Sequence, residues 1–133
     1  MVDAVQTLLP RPIPVHHLGL YREKLTLQPV EYYNNLPQSQ STSAPTTAIL
    51  IDPVIATGGT AIAAIQTLRE WGVKNVIVIN VITAKEGLVR ASEEWPEGTE
   101  FWVGGVDDEL TGSGMIKPGV GDIGDRLYGT IGK

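Results

Sequence analysis

The 133-residue sequence contains no cysteine, which excludes a disulfide framework, thiolate metal ligands and a cysteine nucleophile. It also has no apolar run of membrane-spanning length and no signal-peptide pattern, so we expect a soluble, cytoplasmic protein. Positive charge is scarce as well, since 10 Lys and Arg stand against 15 Asp and Glu and the net charge is −5. A chain this acidic is a poor non-specific partner for nucleic acid or an anionic membrane.

Glycine and proline, in contrast, are abundant. The 15 Gly and 9 Pro indicate many shaped turns. The hydrophobic fraction of 42% is typical of a globular protein, and a chain of this length can form one core. We therefore expect a single domain over residues 1–133. Ser, Gln, Thr and Pro dominate segment 35–47, which predicts a mobile loop.

Hydrophobic spacing predicts a short helix and a hairpin in the first third of the chain. The helix covers 1–9 and is ended by Pro10, Pro12 and Pro14. Strands are predicted over 15–22 and 28–34.

The pattern changes at residue 48, where strands and helices begin to alternate. Strands are predicted over 48–52, 75–82 and 100–106, and helices over 61–71 and 85–94. The first two strands are short apolar runs, as expected for strands that are buried on both faces. Helical connections favour a parallel sheet. We thus predict an α/β fold, a mainly parallel sheet flanked by helices, and no regular element in the glycine-rich segment 107–133.

The candidate functional segment is the loop 52–60, with the sequence DPVIATGGT. It lies between a predicted strand and helix, where ligands bind in open α/β sheets. Gly58 and Gly59 allow the backbone to approach an anion, and the helix amides can bind it. Thr57 and Thr60 can add hydroxyl donors. The spacing matches neither a Walker loop nor a dinucleotide fingerprint.

Asp52 suggests what accompanies the anion. A carboxylate can accept two hydrogen bonds from a ribose diol, so an acid beside a phosphate cradle predicts a ribose 5-phosphate site. The alternative is an ordinary strand-to-helix turn, with Asp52 only a neighbour of the helix cap. The buried strand, the acid and the helix together favour the binding site.

The loop resembles the ribose-phosphate loop of type I phosphoribosyltransferases. Most members have two adjacent acids there, and Asp52-Pro53 followed by ATGGTA is similar to uracil phosphoribosyltransferases in particular. Three further stretches resemble that family: GLYR at 19–22, LQPVEYY at 27–33 and PGVGDIGDR at 118–126. The resemblance implies a hairpin and a glycine-rich carboxyl-terminal flag added to the parallel sheet.

The resemblance implies that uracil and phosphoribosyl pyrophosphate react to give UMP and pyrophosphate in pyrimidine salvage. Mg²⁺ would arrive on phosphoribosyl pyrophosphate, with no metal site of protein side chains. A homodimer or larger homo-oligomer is the expected assembly, and a GTP effector is left open.

The family's functional residues transfer to this sequence at matching positions. The loop residues Asp52, Pro53, Val54, Ile55, Ala56, Thr57, Gly58, Gly59 and Thr60 would hold the ribose and 5′-phosphate. Arg22 would lie on the pyrophosphate, where a guanidinium suits phosphate oxygens, and Asp52 and Arg22 are the catalytic candidates. Uracil would be surrounded by Ile116, Gly121, Asp122 and Ile123, with Asp122 also touching the ribose side.

The chain departs from the family pattern in three places. Family members place an Arg-Ala-Gly-Leu-Gly loop just before the residue that matches Met1, so the chain looks like a member without its amino-terminal part. Met115 stands where many relatives have Tyr or Phe, and Ile123 where Ala or Phe is common. Two alternatives stay open, namely a non-catalytic nucleotide-binding or regulatory module and a phosphoribosyltransferase for another base, although Pro53 speaks against the latter.

Several other residues receive structural interpretations. Asp107, Asp108 and Glu109 predict a solvated turn rather than a magnesium site. Trp71, Trp95 and Trp102 are expected in the core or on a packing surface. Asp125 and Arg126 are expected to brace the tail loop.

Overall fold

A computed structural model describes residues 1–23, 29–37 and 44–130. Residues 38–43 of the segment predicted as a mobile loop lie outside the described residues. The helices are α1 (Val2–Leu8), α2 (Gly59–Trp71), α3 (Lys85–Ser92) and α4 (Ile123–Tyr128). The strands are β1 (Leu18–Arg22), β2 (Pro29–Asn34), β3 (Thr47–Ile51), β4 (Val54–Ile55), β5 (Asn75–Ala84), β6 (Thr99–Asp107), β7 (Glu109–Leu110) and β8 (Ile116–Lys117).

The central sheet has four strands, and all its pairings are parallel. β3 and β4 pair successively with the same side of β5, and β6 pairs with the other side. The predicted α/β fold with a mainly parallel sheet is confirmed. Because parallel strands end at the same edge, the segments after β3, β5 and β6 share one edge of the sheet.

The core forms where α2 and α3 pack on one face of this sheet. β5 supplies Val76 and Val78, which are fully buried, as is Ile65 of α2. Ala91 of α3 and Trp95 also belong to this cluster. α2 ends at Trp71, and its C-cap residue Gly72 has the left-handed conformation (φ 107°) that glycine adopts readily.

The opposite face of the sheet is more open. None of the β3 residues is fully buried, and along β5 buried positions alternate with partly buried or exposed ones up to Val81. The prediction of strands buried on both faces is therefore wrong, because within the described residues the core cluster covers one face only. Trp102 of β6 is 61% exposed, so it packs into no core formed by the described residues.

The hairpin of β1 and β2 is confirmed as an antiparallel pair with an irregularity at Gly19. β1 starts at Leu18 rather than at residue 15. Just before β1, the amide of His17 donates to a side chain, Asn35 Oδ1, at 2.8 Å. The hairpin packs against α2 through both of its strands.

The carboxyl-terminal segment is more regular than its sequence predicts. It contains the β7–β8 hairpin and the six-residue helix α4. Asp122 is the N-cap of α4, and its Oδ1 accepts the amide of Asp125 at 3.0 Å. The expectation of no regular element is wrong, because β7 and β8 pair with each other, and α4 starts at the Asp122 cap and ends at Gly129 in the left-handed conformation.

Candidate functional site

The loop begins where proline interrupts the first parallel strand. Pro53 has no amide hydrogen, so it cannot continue the ladder as a donor. Its carbonyl accepts from the amides of Val81 at 3.1 Å and Ile82 at 3.2 Å. Pairing then resumes for the two residues of β4, which carries the chain further along β5 before it turns into α2.

Asp52 occupies this interruption as a partly buried carboxylate. Burial raises the pKa of the Asp52 carboxyl above its ordinary value, and the hydrogen bond from the Val54 amide, at 3.4 Å from Oδ1, acts in the opposite direction. A partly desolvated carboxylate gains from hydroxyl donors brought by a ligand. This environment agrees with the predicted role of Asp52 as an acceptor for a ribose diol.

The start of α2 closes the loop. Gly58 is the N-cap residue, adopts the left-handed conformation (φ 83°), and has no side-chain cap hydrogen bond. The first turn of α2 contains no acidic residue. The first amides of a helix have no partner within it, so this end of α2 offers hydrogen-bond donors and the positive end of the helix dipole to an anion.

The loop and the first helical residues surround a cleft of about 70 Å³. Its lining is Asp52, Val54, Ile55, Ala56, Thr57, Gly58, Gly59, Thr60 and Ala61. The structure thus brings together the loop residues predicted to bind the ribose and 5′-phosphate, except Pro53, whose carbonyl bonds to β5 and which is not part of the lining.

Donors from outside the loop occupy several of its carbonyl groups. Hydrogen bonds run from Thr83 Oγ1 to the Ile55 carbonyl (3.0 Å), from Arg90 Nη1 to the Thr57 carbonyl (2.8 Å) and from the Ile62 amide to the Gly58 carbonyl (2.9 Å). β5, α3 and α2 therefore each fix one carbonyl of the loop. Sequence analysis assigned no role to Thr83 or Arg90, because each is far from its partner along the chain.

The hairpin lies beside the start of α2. Pro29 is the register partner of Arg22 at the end of β1. The Pro29 Cδ is 3.9 Å from the position that a Cβ on Gly59 would occupy. The backbone of Arg22 therefore lies one strand away from a residue beside the start of α2, and the contact of Arg22 with pyrophosphate stays a prediction.

The residues predicted to surround uracil are divided between two environments. Ile116 in β8 is buried, and β8 contacts β5. Gly121, Asp122 and Ile123 are exposed at the start of α4. None of the four lines the cleft of the loop, so their contact with a base stays a prediction.

Asp107 anchors the carboxyl-terminal segment to the sheet. Its Oδ2 accepts the amide of Gly119 at 2.8 Å, and Gly119 has the left-handed conformation (φ 57°). A cleft of about 330 Å³ opens beside it, lined by Val106, Asp107, Asp108, Glu109, Lys117 and Pro118. The solvated-turn interpretation is wrong for Asp107, and its position at the end of a parallel strand was the available signal.

The predicted bracing by Asp125 and Arg126 is confirmed. Arg126 Nη1 donates to the Val120 carbonyl at 2.8 Å, and Thr130 Oγ1 donates to Asp125 Oδ1 at 2.5 Å. These two hydrogen bonds connect α4 to the residues that precede and follow it.

The described ranges contain neither a cluster of metal-ligating side chains nor a membrane-spanning helix. No three His, Asp or Glu side chains in residues 1–23, 29–37 and 44–130 are grouped so that they could hold a metal ion. None of the helices found there is long and apolar enough to cross a membrane.

Comparison with known proteins gave a consistent result. The model of the family described as uracil phosphoribosyltransferase matches residues 1–130. A Schizosaccharomyces pombe protein that is provisionally named a uracil phosphoribosyltransferase is 50% identical over 97% of this chain. The uracil phosphoribosyltransferase of Finegoldia magna is 45% identical over 98% of this chain. The AQ2163 protein from Aquifex aeolicus superimposes with a TM-score of 0.71 and 39% identity over 85% of this chain.

The chain is shorter than these proteins. It spans 60% of the length of the two relatives and 52% of the AQ2163 chain.

Proposed function

Because this chain belongs to the uracil phosphoribosyltransferase family, we propose that it converts uracil and phosphoribosyl pyrophosphate to UMP and pyrophosphate in pyrimidine salvage. The observation that carries the proposal is the cleft of residues 52–61, in which the uncapped start of α2 and a partly buried carboxylate face the same space. A phosphate and a diol on one ribose match these two features.

The reaction is a displacement at the anomeric carbon of the ribose. The base nitrogen would give up its proton to solvent and form a bond to this carbon while the bond to pyrophosphate breaks, and the leaving group takes the electron pair. Such a reaction needs two substrates held in register and a stabilised leaving group. The loop amides would hold the 5′-phosphate, and Asp52 would accept hydrogen bonds from the ribose hydroxyls.

The leaving pyrophosphate would be neutralised by two contributors. Arg22, at the end of the hairpin, would donate to its oxygens. Mg²⁺ would enter and leave with the phosphate groups as part of the substrate.

The base would be bound by the carboxyl-terminal segment. Ile116 would supply an apolar contact, and the backbone of Gly121, Asp122 and Ile123 would meet the polar edge of uracil. Met115, 38% exposed, keeps an adaptable apolar side chain at this position. A GTP effector, a homo-oligomer and a cytoplasmic location stay predictions of the family resemblance.

The proposed function is tested by incubating the 133-residue chain with labelled uracil, phosphoribosyl pyrophosphate and Mg²⁺ and measuring UMP. We expect UMP to form, and we expect Asp52→Ala to lower kcat/KM by about a hundredfold, the order of two hydrogen bonds to a charged acceptor. Asp108→Ala is the matched control, because it removes an exposed carboxylate outside the loop. UMP binding without product formation would contradict the catalytic part of the proposal.

A further inference from the structure

We propose that Arg90 is a positioning residue of the phosphate-binding loop. Through the Thr57 carbonyl it fixes the peptide group that joins Thr57 to Gly58, and thereby the direction of the Gly58 amide. The inference rests on the proposed function, because it assigns the 5′-phosphate as the anion that this amide meets.

The first observation is the hydrogen bond between α3 and the loop. Arg90 Nη1 lies 2.8 Å from the Thr57 carbonyl oxygen, whereas Arg90 is not one of the residues that line the cleft. A trans peptide is planar, and its carbonyl and amide point in opposite directions. Holding the Thr57 carbonyl on Arg90 therefore also fixes the direction of the Gly58 amide, whose nitrogen lies 3.0 Å from the position that a Cβ on Gly87 would occupy.

The second observation is a close backbone contact one turn earlier on the same helix. A Cβ on Gly87 would lie 2.0 Å from the Ala56 carbonyl oxygen, and a Cβ on Gly58 would lie 2.6 Å from the Gly87 carbonyl oxygen. Gly87 and Arg90 are three residues apart and so lie on the same side of α3. α3 thus holds the loop at two adjacent points, by the backbone contact at Gly87 and by the charged hydrogen-bond donor of Arg90.

The charge of Arg90 adds to the geometry. A hydrogen bond from a guanidinium is stronger than one from a neutral donor, and it polarises the peptide whose carbonyl accepts it. The amide at the other end of that peptide becomes a better donor to an anion. Arg90 can therefore increase phosphate affinity without touching the phosphate.

The binding experiment compares UMP with uridine, which lacks the phosphate. The variants are Arg90→Met, which keeps an unbranched side chain but has no donor, and Arg90→Lys, which keeps a charged donor. Lys85→Met is the matched control, because it removes an exposed positive charge from the same helix. Dissociation constants are measured by isothermal titration calorimetry on the 133-residue chain.

We expect Arg90→Met to weaken UMP binding about tenfold, the order of one charge-assisted hydrogen bond, and to leave uridine binding unchanged. Arg90→Lys should recover most of the loss, and Lys85→Met should bind like the unmodified chain. Equal losses for Arg90→Met and Lys85→Met, or equal losses for UMP and uridine, would overturn the proposal.

A second measurement separates this proposal from the proposed function. In ligand-free ¹H–¹⁵N spectra, we expect the Gly58 amide resonance to shift in Arg90→Met and to stay in place in Lys85→Met. If the unmodified chain does not prefer UMP to uridine, the proposed function fails, while a shifted Gly58 resonance still supports the positioning of the loop. An unmoved Gly58 resonance in a folded Arg90→Met chain would overturn the role of Arg90.

Discussion

Burial raises the pKa of the Asp52 carboxyl, which means that the folded protein disfavours its charged form. The native state then binds the proton of this carboxyl more tightly than the unfolded chain does. The stability associated with this group is fully present below the unfolded pKa of about 3.8, and it is lost as the pH rises through the folded pKa. At neutral pH the charged carboxylate therefore lowers the free energy of unfolding.

Removing that charge should reverse the effect. We expect Asp52→Asn to raise the free energy of unfolding at pH 7, with the gain diminishing toward pH 3, where the carboxyl of the parent chain is protonated. Urea unfolding at the two pH values measures the difference. Asp108→Asn serves as the comparison, and a gain in Asp52→Asn that is the same at both pH values would contradict the explanation.

Asp107 connects β6 to the carboxyl-terminal segment through the Gly119 amide. We expect Asp107→Ala to destabilise the chain by about 1–3 kcal/mol, because a partly buried amide loses its acceptor. Asp107→Asn should retain most of the stability, since an amide oxygen can accept the same hydrogen bond. Thermal unfolding of both variants checks this, and equal losses would show that the negative charge, not the hydrogen bond, stabilises the segment.

At the scale of elements, β5 holds the loop through Thr83. This side chain is fully buried, and its Oγ1 donates to the Ile55 carbonyl at 3.0 Å. Thr83→Val should lower the free energy of unfolding by about 1–3 kcal/mol, because the carbonyl of Ile55 loses this donor while the side chain keeps its shape.

The control for this variant is Thr67→Val on the surface of α2, where the hydroxyl is 3.4 Å from Glu31 Oε2. Its effect should stay within about 0.5 kcal/mol. Urea unfolding compares the two variants. If Thr83→Val costs no more than Thr67→Val, the bond to Ile55 does not stabilise the loop.

The regular elements of the central sheet could be predicted from sequence because they are long enough to show a period. The predicted helix 61–71 and strand 75–82 correspond to α2 and β5, with boundaries within two residues. β4, β7 and β8 have two residues each and therefore no period. β4 pairs with the edge of β5, whereas β7 and β8 pair only with each other.

The cleft-forming loop could be predicted from the sequence, but the residues that support it could not. Glycines and an acid after a short apolar strand predict a phosphate-binding turn within one local segment. The hydrogen bonds of Thr83 and Arg90 to the loop join residues 28 and 33 positions apart. Which side chain meets which carbonyl depends on how β5 and α3 pack, and no local pattern records that.

At the scale of the whole molecule, the apolar core lies on one face of the sheet. Trp95 is buried in it, Trp71 is partly buried, and Trp102 is on the other face with 61% of its surface exposed. The three indoles therefore report on different surroundings.

We expect Trp102→Phe to remove most of the fluorescence that acrylamide quenches efficiently in the dilute chain. Trp95→Phe should remove mainly the shielded component, because Trp95 is packed against the core. Measurement at rising protein concentration extends the test to the predicted homo-oligomer. A Trp102 that is shielded even at the lowest concentration would contradict an open sheet face in the isolated chain.

The fixed carbonyls of the loop have a consequence for the thermodynamics of binding. The backbone of residues 53–58 loses its conformational entropy when the chain folds, because β5, α2 and α3 hold it from three sides. Binding of a ligand then costs little further conformational entropy of the loop backbone. Association with the loop should accordingly need no slow rearrangement step, and its rate should rise linearly with ligand concentration.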